Sequence, residues 1–376
     1  MTDKGYKKAI NTRKQIRSMQ GKMLFLCVLL FALNTGCGKN ADDAAVLNES
    51  KAPENRIHLL LMTKDDENEL FRIGDSVCMP GEARLYLYSM QSAYQSVYGS
   101  SIWSKTADEH NLEEEFKESA LSRICAVKTL CLMAADRGVE LSAEEKKLAD
   151  EGAVSFISSA GPDGAARTGL DNEGIKKCFE ELVLADKVYR DILEETEPEI
   201  SDDEARMVTV SQILLKTYSL GSGGRTEYSD EDKRRVYQKA LGILTQINQG
   251  GDFDTIAAIS NEADKVTVSF GRDEREKAVS DAAFMLSQGE VSRVIETSDG
   301  YLILKCVQSF DKEQTDLRKG EIAKKKKEES FARIYDEFSG QLLRSFNEDE
   351  WEKIHFSKDE LGSGENIFDI VSTLFE

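Results

Sequence analysis

Histidine is scarce in this chain: three residues in 376, His58, His110 and His355, each in a separate context. No two stand at a metal-ligand spacing such as HExxH, which argues against a histidine-based zinc site. Cysteine is present without a pattern. Beyond Cys27 and Cys37 near the N-terminus, the five others (Cys78, Cys125, Cys131, Cys178 and Cys306) are odd in number and form no CxxC. That is not a disulfide scaffold. Cys125 and Cys131 fall in an apolar helical stretch, where a small buried hydrophobe is the expected role. Basic charge is short as well: 49 Lys and Arg stand against 69 Asp and Glu, a net charge of −20. With a pI near 4.8 there is no basic face for phosphate, so no nucleic-acid partner is expected. Long apolar runs are missing too. The run MLFLCVLLFAL, Met23 to Leu33, has 11 residues, too few to span a bilayer.

That short run is nevertheless informative. It follows a basic stretch (Lys4, Lys7, Lys8, Arg13, Lys14, Arg17, Lys22) and precedes NTGC, ending at Cys37, and then polar sequence. A basic region, a short apolar region and small residues make a signal peptide over residues 1–36. Small residues followed by Cys at this place resemble a bacterial lipoprotein lipobox. The resemblance implies that Cys37 is lipidated and becomes the mature N-terminus. Asn34 departs from the pattern, since an aliphatic is usual three residues before the Cys. Met19 would open a more typical signal than Met1. Residues 37–55 then read as a flexible tether.

With 40% hydrophobic residues the remainder can bury a sizeable core and form two domains. Short strand-like runs (Ile57 to Met62, Phe71 to Asp75) precede helical patterns. ARLYLYSMQSAYQSVYG (Ala83 to Gly99) carries aromatics on much of its surface and is a candidate contact surface for a client, or else core. Phe116 to Gly138 and Ile175 to Glu195 repeat apolar residues every three to four positions. Ser142 with Glu145, and Ser201 with Glu204, have the spacing of capping boxes. From Met207 the pattern changes: MVTVSQILLKT is β-rich, SLGSGGRTEYS reads as a Gly/Ser loop, and Ser229 opens an amphipathic helix. DFDTIAAIS, VTVSFG and SDAAFMLSQG follow as helix, strand and helix. VSRVIET and YLILKCVQ read as two strands around Ser298-Asp299-Gly300. The chain from Gly320 to Phe346 reads as helix again, its run Lys324 to Lys327 paired with Glu328 and Glu329 on a solvated face. Residues 358–376 read as a loosely held tail.

The order strand, helix, helix, short helix, two strands resembles a parvulin-type (PpiC, rotamase) peptidyl-prolyl isomerase domain. It is carried by VSQILLKT, QGGDFDTIAAIS, FGR at 270–272 and DAAFMLSQGEVSRVIETSDGYLILK at 281–305. The helical flanks resemble extracytoplasmic foldases of the PrsA and SurA type. The implied fold is α+β: a helical chaperone-like domain from residues 56–205 with 311–357, and an inserted parvulin-like domain of a four-stranded sheet plus helices at 206–310. The implied partners are unfolded or proline-containing secreted polypeptides and a membrane, through the lipid anchor. The location is the outer face of a bacterial cell membrane, Gram-positive given the lipoprotein-plus-foldase combination. No cofactor and no metal is implied.

Prolyl isomerisation must lower a barrier of roughly 18–20 kcal/mol about an amide bond. An apolar pocket grips the ring and a polar floor favours the twisted amide. In parvulins the floor is built around two histidines. Carried over, the first position is Gln212 and the second Leu302. The Cys/Asp position falls on or near Glu262, and Thr297 is retained, as are Leu214 and Phe284. The proline-gripping Met and Phe positions fall on Arg275 and Val279. None of the three histidines lies within the domain. Two readings stay open: an isomerase working through Gln212, Glu262 and Thr297, or a fold kept as a peptide-binding or homodimerising module with weak or lost activity. A solute-binding lipoprotein would need repeated βα units, which the helical flanks do not provide.

Overall fold

The computed structural model describes residues 60–61, 68–99, 112–221, 223–355 and 366–374. In chain order the strands are β1 (Leu60–Leu61), β2 (Phe71–Ile73) and β3 (Ser76–Cys78), followed by helices α1 (Pro80–Tyr98), α2 (Leu112–Arg137), α3 (Ala143–Thr168), α4 (Asn172–Glu195) and α5 (Asp202–Ala205). Next come β4 (Met207–Lys216), β5 (Tyr218–Gly221), β6 (Gly224–Glu227), α6 (Asp230–Asn248), α7 (Phe253–Ser260), β7 (Thr267–Gly271), α8 (Lys277–Met285), β8 (Ile295–Thr297) and β9 (Gly300–Gln308). Last are α9 (Lys312–Ser339), β10 (Arg344–Phe346), α10 (Glu348–Glu352) and α11 (Ile367–Leu374). The α+β class expected from the sequence holds. Two compact units emerge: one from the chain up to Thr196 and again from Glu328, the other from Glu197–Lys327.

The first unit packs α1 to α4 around Leu85, Leu130, Phe156, Phe179, Val183 and Phe331. Helix α4 shows why: Ile175, Phe179, Leu182, Val188 and Ile192 recur at helical spacing and are all buried, a stripe that must find a partner surface. Ser142 and Glu145 cap α3 reciprocally. That helix breaks at Gly161, which has φ +69°, and Pro162 restarts it; proline suits a first helical position because its missing N–H is not needed there. Lys128 sits within this core with its side chain 1% exposed, Nζ lying 2.6 Å from Glu82 and 2.7 Å from Glu181. Burial alone would lower its pKa, but Glu181 and Glu82 outweigh that and hold it above the ordinary lysine value. Among the described residues four thiols belong to the same unit. Burial pushes Cys125 and Cys131 up to about 12, so these groups stay neutral and inert.

Three expectations change in this unit. Tyr86 and Tyr88 of α1 are buried, as are Leu85, Leu87 and Met90. The aromatic helix is core over most of its length, and only Val97 and Tyr98 at its end are exposed large apolar residues. The segment after Gly340 is not helix: Arg344–Phe346 joins a small sheet of order β1-β10-β2-β3, parallel to β1 and antiparallel to β2. The tail reading is overturned from residue 367 on, where α11 buries Ile367, Ile370 and Val371. Its Phe368 meets Tyr86 edge-on at 5.6 Å. The signal, the tether and Cys37 lie outside the described residues. Among the described residues no helix is long and apolar enough to cross a membrane.

The second unit is built on an antiparallel sheet of order β7-β4-β9-β8. Alternation along β4 gives both faces an apolar row. Ile213 and Leu215, with Ile303, lie under α6 and α7 against Ile243, Ile247, Phe253 and Ile256. Val208 and Val210, with Leu302, Leu304 and Cys306, lie under α8 against Val279, Ala283 and Phe284. The Gly/Ser loop is in fact a hairpin, β5 paired antiparallel with β6. Arg225 accounts for it. Its guanidinium lies 3.8 Å from the Tyr218 ring centre and donates to Glu227, Asp299 and the Ser298 carbonyl at 2.6, 2.9 and 2.6 Å. The stretch VSRVIET is strand only at Ile295–Thr297. Upstream, the Ser292 hydroxyl receives the Leu304 N–H and donates to the Arg293 carbonyl, which replaces a regular ladder.

Candidate functional site

Gln212 belongs to the β4 row Val208, Val210, Gln212, Leu214, the row under α8. Its partner across β9 is Leu304, while Leu214 stands opposite Leu302. Leu302 in turn faces Ile295 of β8. Gln212 and Leu302 are therefore diagonal neighbours on one face, the arrangement a bonded pair of side chains would need. Leu302 is buried and has no polar atom to offer.

The Gln212 amide turns to the backbone instead. β7 pairs with β4 only as far as Ser211, so the β4 edge from Gln212 onward must be closed by other groups. The Gln212 N–H donates to the Val266 carbonyl at 2.7 Å, and its side-chain Nε2 donates to the Lys265 carbonyl at 2.8 Å. The Leu214 N–H donates to Asn261 Oδ1 at 2.9 Å. The Lys216 N–H donates to Glu262 Oε2 at 2.7 Å. Glu262 is exposed, and this bond makes it an edge cap for the strand. Thr297 is likewise engaged: its hydroxyl donates to the Gly300 carbonyl at 2.9 Å and accepts the Gly300 N–H at 3.2 Å, fixing the β8–β9 turn. Each of the three polar candidates serves the backbone.

The apolar candidates do come together. Val279, Phe284, Leu302 and Leu214 share one cluster with Phe270 and Ile295. Arg275 is exposed, its guanidinium carbon 5.5 Å from the Phe270 ring centre. Arg272 and Arg206 stand over Phe284 at 4.6 and 5.3 Å. The loop carrying Arg272 and Arg275 is held by Glu274, which accepts the Gly271 N–H at 3.0 Å and pairs with Arg318. The Arg318 guanidinium lies so close over Gly271 that a Cβ there would fall 1.6 Å from its Nη1. A side chain at Gly271 would have to push the Arg318 guanidinium aside. Asn261, Arg206 and Arg318 were not singled out from sequence. Only Asn261, next to Glu262 in a segment already marked, offered a local signal.

On this face the arginines stand over the aromatic rings, the Gln212 amide is bound to backbone, and Phe270, Val279, Phe284 and Leu302 are buried. Opposite Gln212 and Leu214 on β9 stand the apolar side chains of Leu304 and Leu302. Among the described residues no group of three or more His, Cys, Asp or Glu is placed to hold a metal ion.

Residues 213–308 match a family model described as Rotamase, PPIC-type PPIASE domain. No curated protein matches the chain. Among solved structures, the peptidylprolyl isomerase PrsA from Bacillus cereus is 18% identical, covers 70% of this chain and 91% of its own, and has a TM-score of 0.32. The foldase protein PrsA from Lactococcus lactis is 16% identical over 72% of this chain and 93% of its own, again at 0.32. A SurA-like chaperone structure from Campylobacter jejuni is 10% identical over 74% and 98%, at 0.28. Scores of this size carry no argument of their own. The family match coincides with the four-stranded sheet, its helices and the ordered motifs, and so this chain carries a parvulin-type, PPIC-class peptidyl-prolyl isomerase domain.

Proposed function

We propose that this protein is an extracytoplasmic foldase that binds unfolded secreted chains and whose parvulin-type domain has lost most or all isomerase activity. The observation that carries the reading is the pair of positions on the sheet face: Leu302 has no polar atom, and the Gln212 amide is spent on the Lys265 carbonyl. Differential stabilisation of a twisted amide needs donors aimed at the developing charge, and neither residue supplies one. Binding of clients needs neither ATP nor metal.

The test joins two assays on one preparation. In the first, cis-trans isomerisation of a panel of Xaa-Pro tetrapeptides is expected to run at the uncatalysed rate, a time constant of roughly tens to hundreds of seconds. In the second, stoichiometric protein is expected to suppress aggregation of a denatured client. A measurable rate abolished by Gln212→Ala would establish the isomerase reading instead. Unchanged client aggregation would end the chaperone reading.

The lipobox-like NTGC motif supports anchoring through Cys37 to the outer face of a bacterial membrane, and the combination with a foldase fits a Gram-positive cell. Cell fractionation is the check. The wild-type chain is expected with the membranes and Cys37→Ser in the soluble extracytoplasmic fraction. Equal partition of the two would remove the anchor from the proposal.

A further inference from the structure

We infer that the end of the sheet face around Phe270 and Phe284 docks carboxylate-bearing segments of client chains, with no requirement for proline; this step rests on the foldase reading above. The two rings lie 6.5 Å apart and are attended by three guanidinium groups, Arg206 and Arg272 over Phe284 and Arg275 over Phe270. Among the described residues none of the three has a carboxylate within ion-pair distance. Arg206 donates to the Ser309 carbonyl at 3.0 and 2.7 Å, and Arg272 and Arg275 are exposed.

The neighbouring acids do not neutralise them. Glu274 serves the Gly271 N–H and Arg318. Glu276 accepts the Ser298 hydroxyl at 2.6 Å, and Asp281 pairs with Lys277 at 2.6 Å. Asp273 and Asp203, both exposed, are uncommitted nearby. In a chain of net charge −20, three arginines gathered at one place without acidic partners are out of keeping with the rest of the surface.

The chemistry they offer is specific. A guanidinium laid on an aromatic face keeps the donors at its edge free. Those donors match a carboxylate in two parallel hydrogen bonds. Phe270 and Phe284 are themselves buried, so the guanidinium edges are what a ligand meets. The occupant is therefore an extended segment bearing Glu or Asp. Arg275 stands where a parvulin would grip the proline ring, and its charge directs recognition to the acidic side chain instead.

The experiment measures fluorescence anisotropy of labelled decapeptides with the full chain. Three peptides carry Glu, Gln or Lys beside the same Phe residues, each made with and without a proline. The Glu peptide is expected to bind about tenfold or more tightly than the Gln peptide, equally with or without proline, and to weaken as salt rises. Arg275→Glu, a change at an exposed position that leaves the fold testable by circular dichroism, is expected to abolish the preference and favour the Lys peptide. Equal affinities for the Glu and Gln peptides, or a preference that survives Arg275→Glu, would overturn the inference. If aggregation of a client is still suppressed in that case, the foldase reading stands and only the acidic specificity falls. If neither peptides nor clients are bound, both fall.

Discussion

Replacing Lys128 by methionine is expected to destabilise the helical unit by about 3–5 kcal/mol, the usual cost of leaving buried carboxylates without their cation. The geometry demands it. Lys128 is 1% exposed and touches Glu82 at 2.6 Å and Glu181 at 2.7 Å, and Glu82 also accepts the Met79 N–H that begins α1, at 2.9 Å. Removing the ammonium leaves the buried Glu82 without its cation, and Glu181 with only Lys177 at 4.0 Å, beside Tyr86 and Cys178. Urea unfolding read by far-ultraviolet circular dichroism measures the loss; a change below about 1 kcal/mol would mean that water reaches the carboxylates and the triad behaves like a surface pair. Adding Glu82→Gln and Glu181→Gln to Lys128→Met is expected to recover much of the loss, because no buried charge then remains.

The pH dependence has a definite sign. The folded-state pKa of Lys128 is raised above the ordinary value of 10.5. Its contribution to stability is complete below that value and disappears as pH climbs through the folded-state value. Wild type therefore loses this increment only in strongly alkaline solution, and Lys128→Met lacks it at every pH.

Gly300→Ala carries the second large effect, in the sheet unit. Gly300 has φ +140° and sits at the β8–β9 turn opposite Lys216. A Cβ there would lie 2.1 Å from the Leu215 carbonyl oxygen and 3.0 Å from the Lys216 Cα. Both are backbone atoms of the central strand and cannot step aside. Backbone strain and overpacking each cost roughly 1–3 kcal/mol, so the loss should reach about 3 kcal/mol. The Thr297 hydroxyl, bonded to both Gly300 polar groups, is disturbed at the same time. Gly289 makes the comparison fair: its φ is +84° but nothing lies within 4 Å of its added Cβ, so Gly289→Ala should cost only about 1–2 kcal/mol. Amide exchange at Ile213 and Ile303 reads both variants. Equal protection in the two would show that the clash at Leu215 is relieved without cost.

What the sequence disclosed, and what it hid, follows from where each signal resides. β4 and β9 were legible because their apolar residues are dense enough to mark strands, and α4 and α6 because their stripes repeat at helical spacing. The hairpin at 218–227 was hidden because Gly and Ser give no strand signal; it is held by Arg225 reaching Asp299, far away in sequence. β10 was hidden for the same reason, three residues made strand by pairing with β1 and β2. α11 was missed because a short apolar stretch after a polar segment reads as a tail until a core receives it. At the site, the row Val208 to Leu214 could be placed on one face by alternation alone. The engagement of Gln212, Glu262 and Thr297 by backbone groups could not, since it depends on β7 beginning only at Thr267, opposite Ser211, and on Asn261 and Glu262 taking over the strand edge.

The division of the chain has a consequence for the order of assembly. The sheet unit is continuous, Glu197–Lys327, whereas the helical unit needs residues from both sides of it, including Phe331 and the buried face of α11. A polypeptide made from its N-terminus can finish the sheet unit before residues 328–374 are available. The helices that precede it must wait, with the sockets for Ile367, Ile370 and Val371 unfilled, until that segment has been made. Until then the apolar sockets of the helical unit stand open, the same kind of surface that an unfolded polypeptide presents.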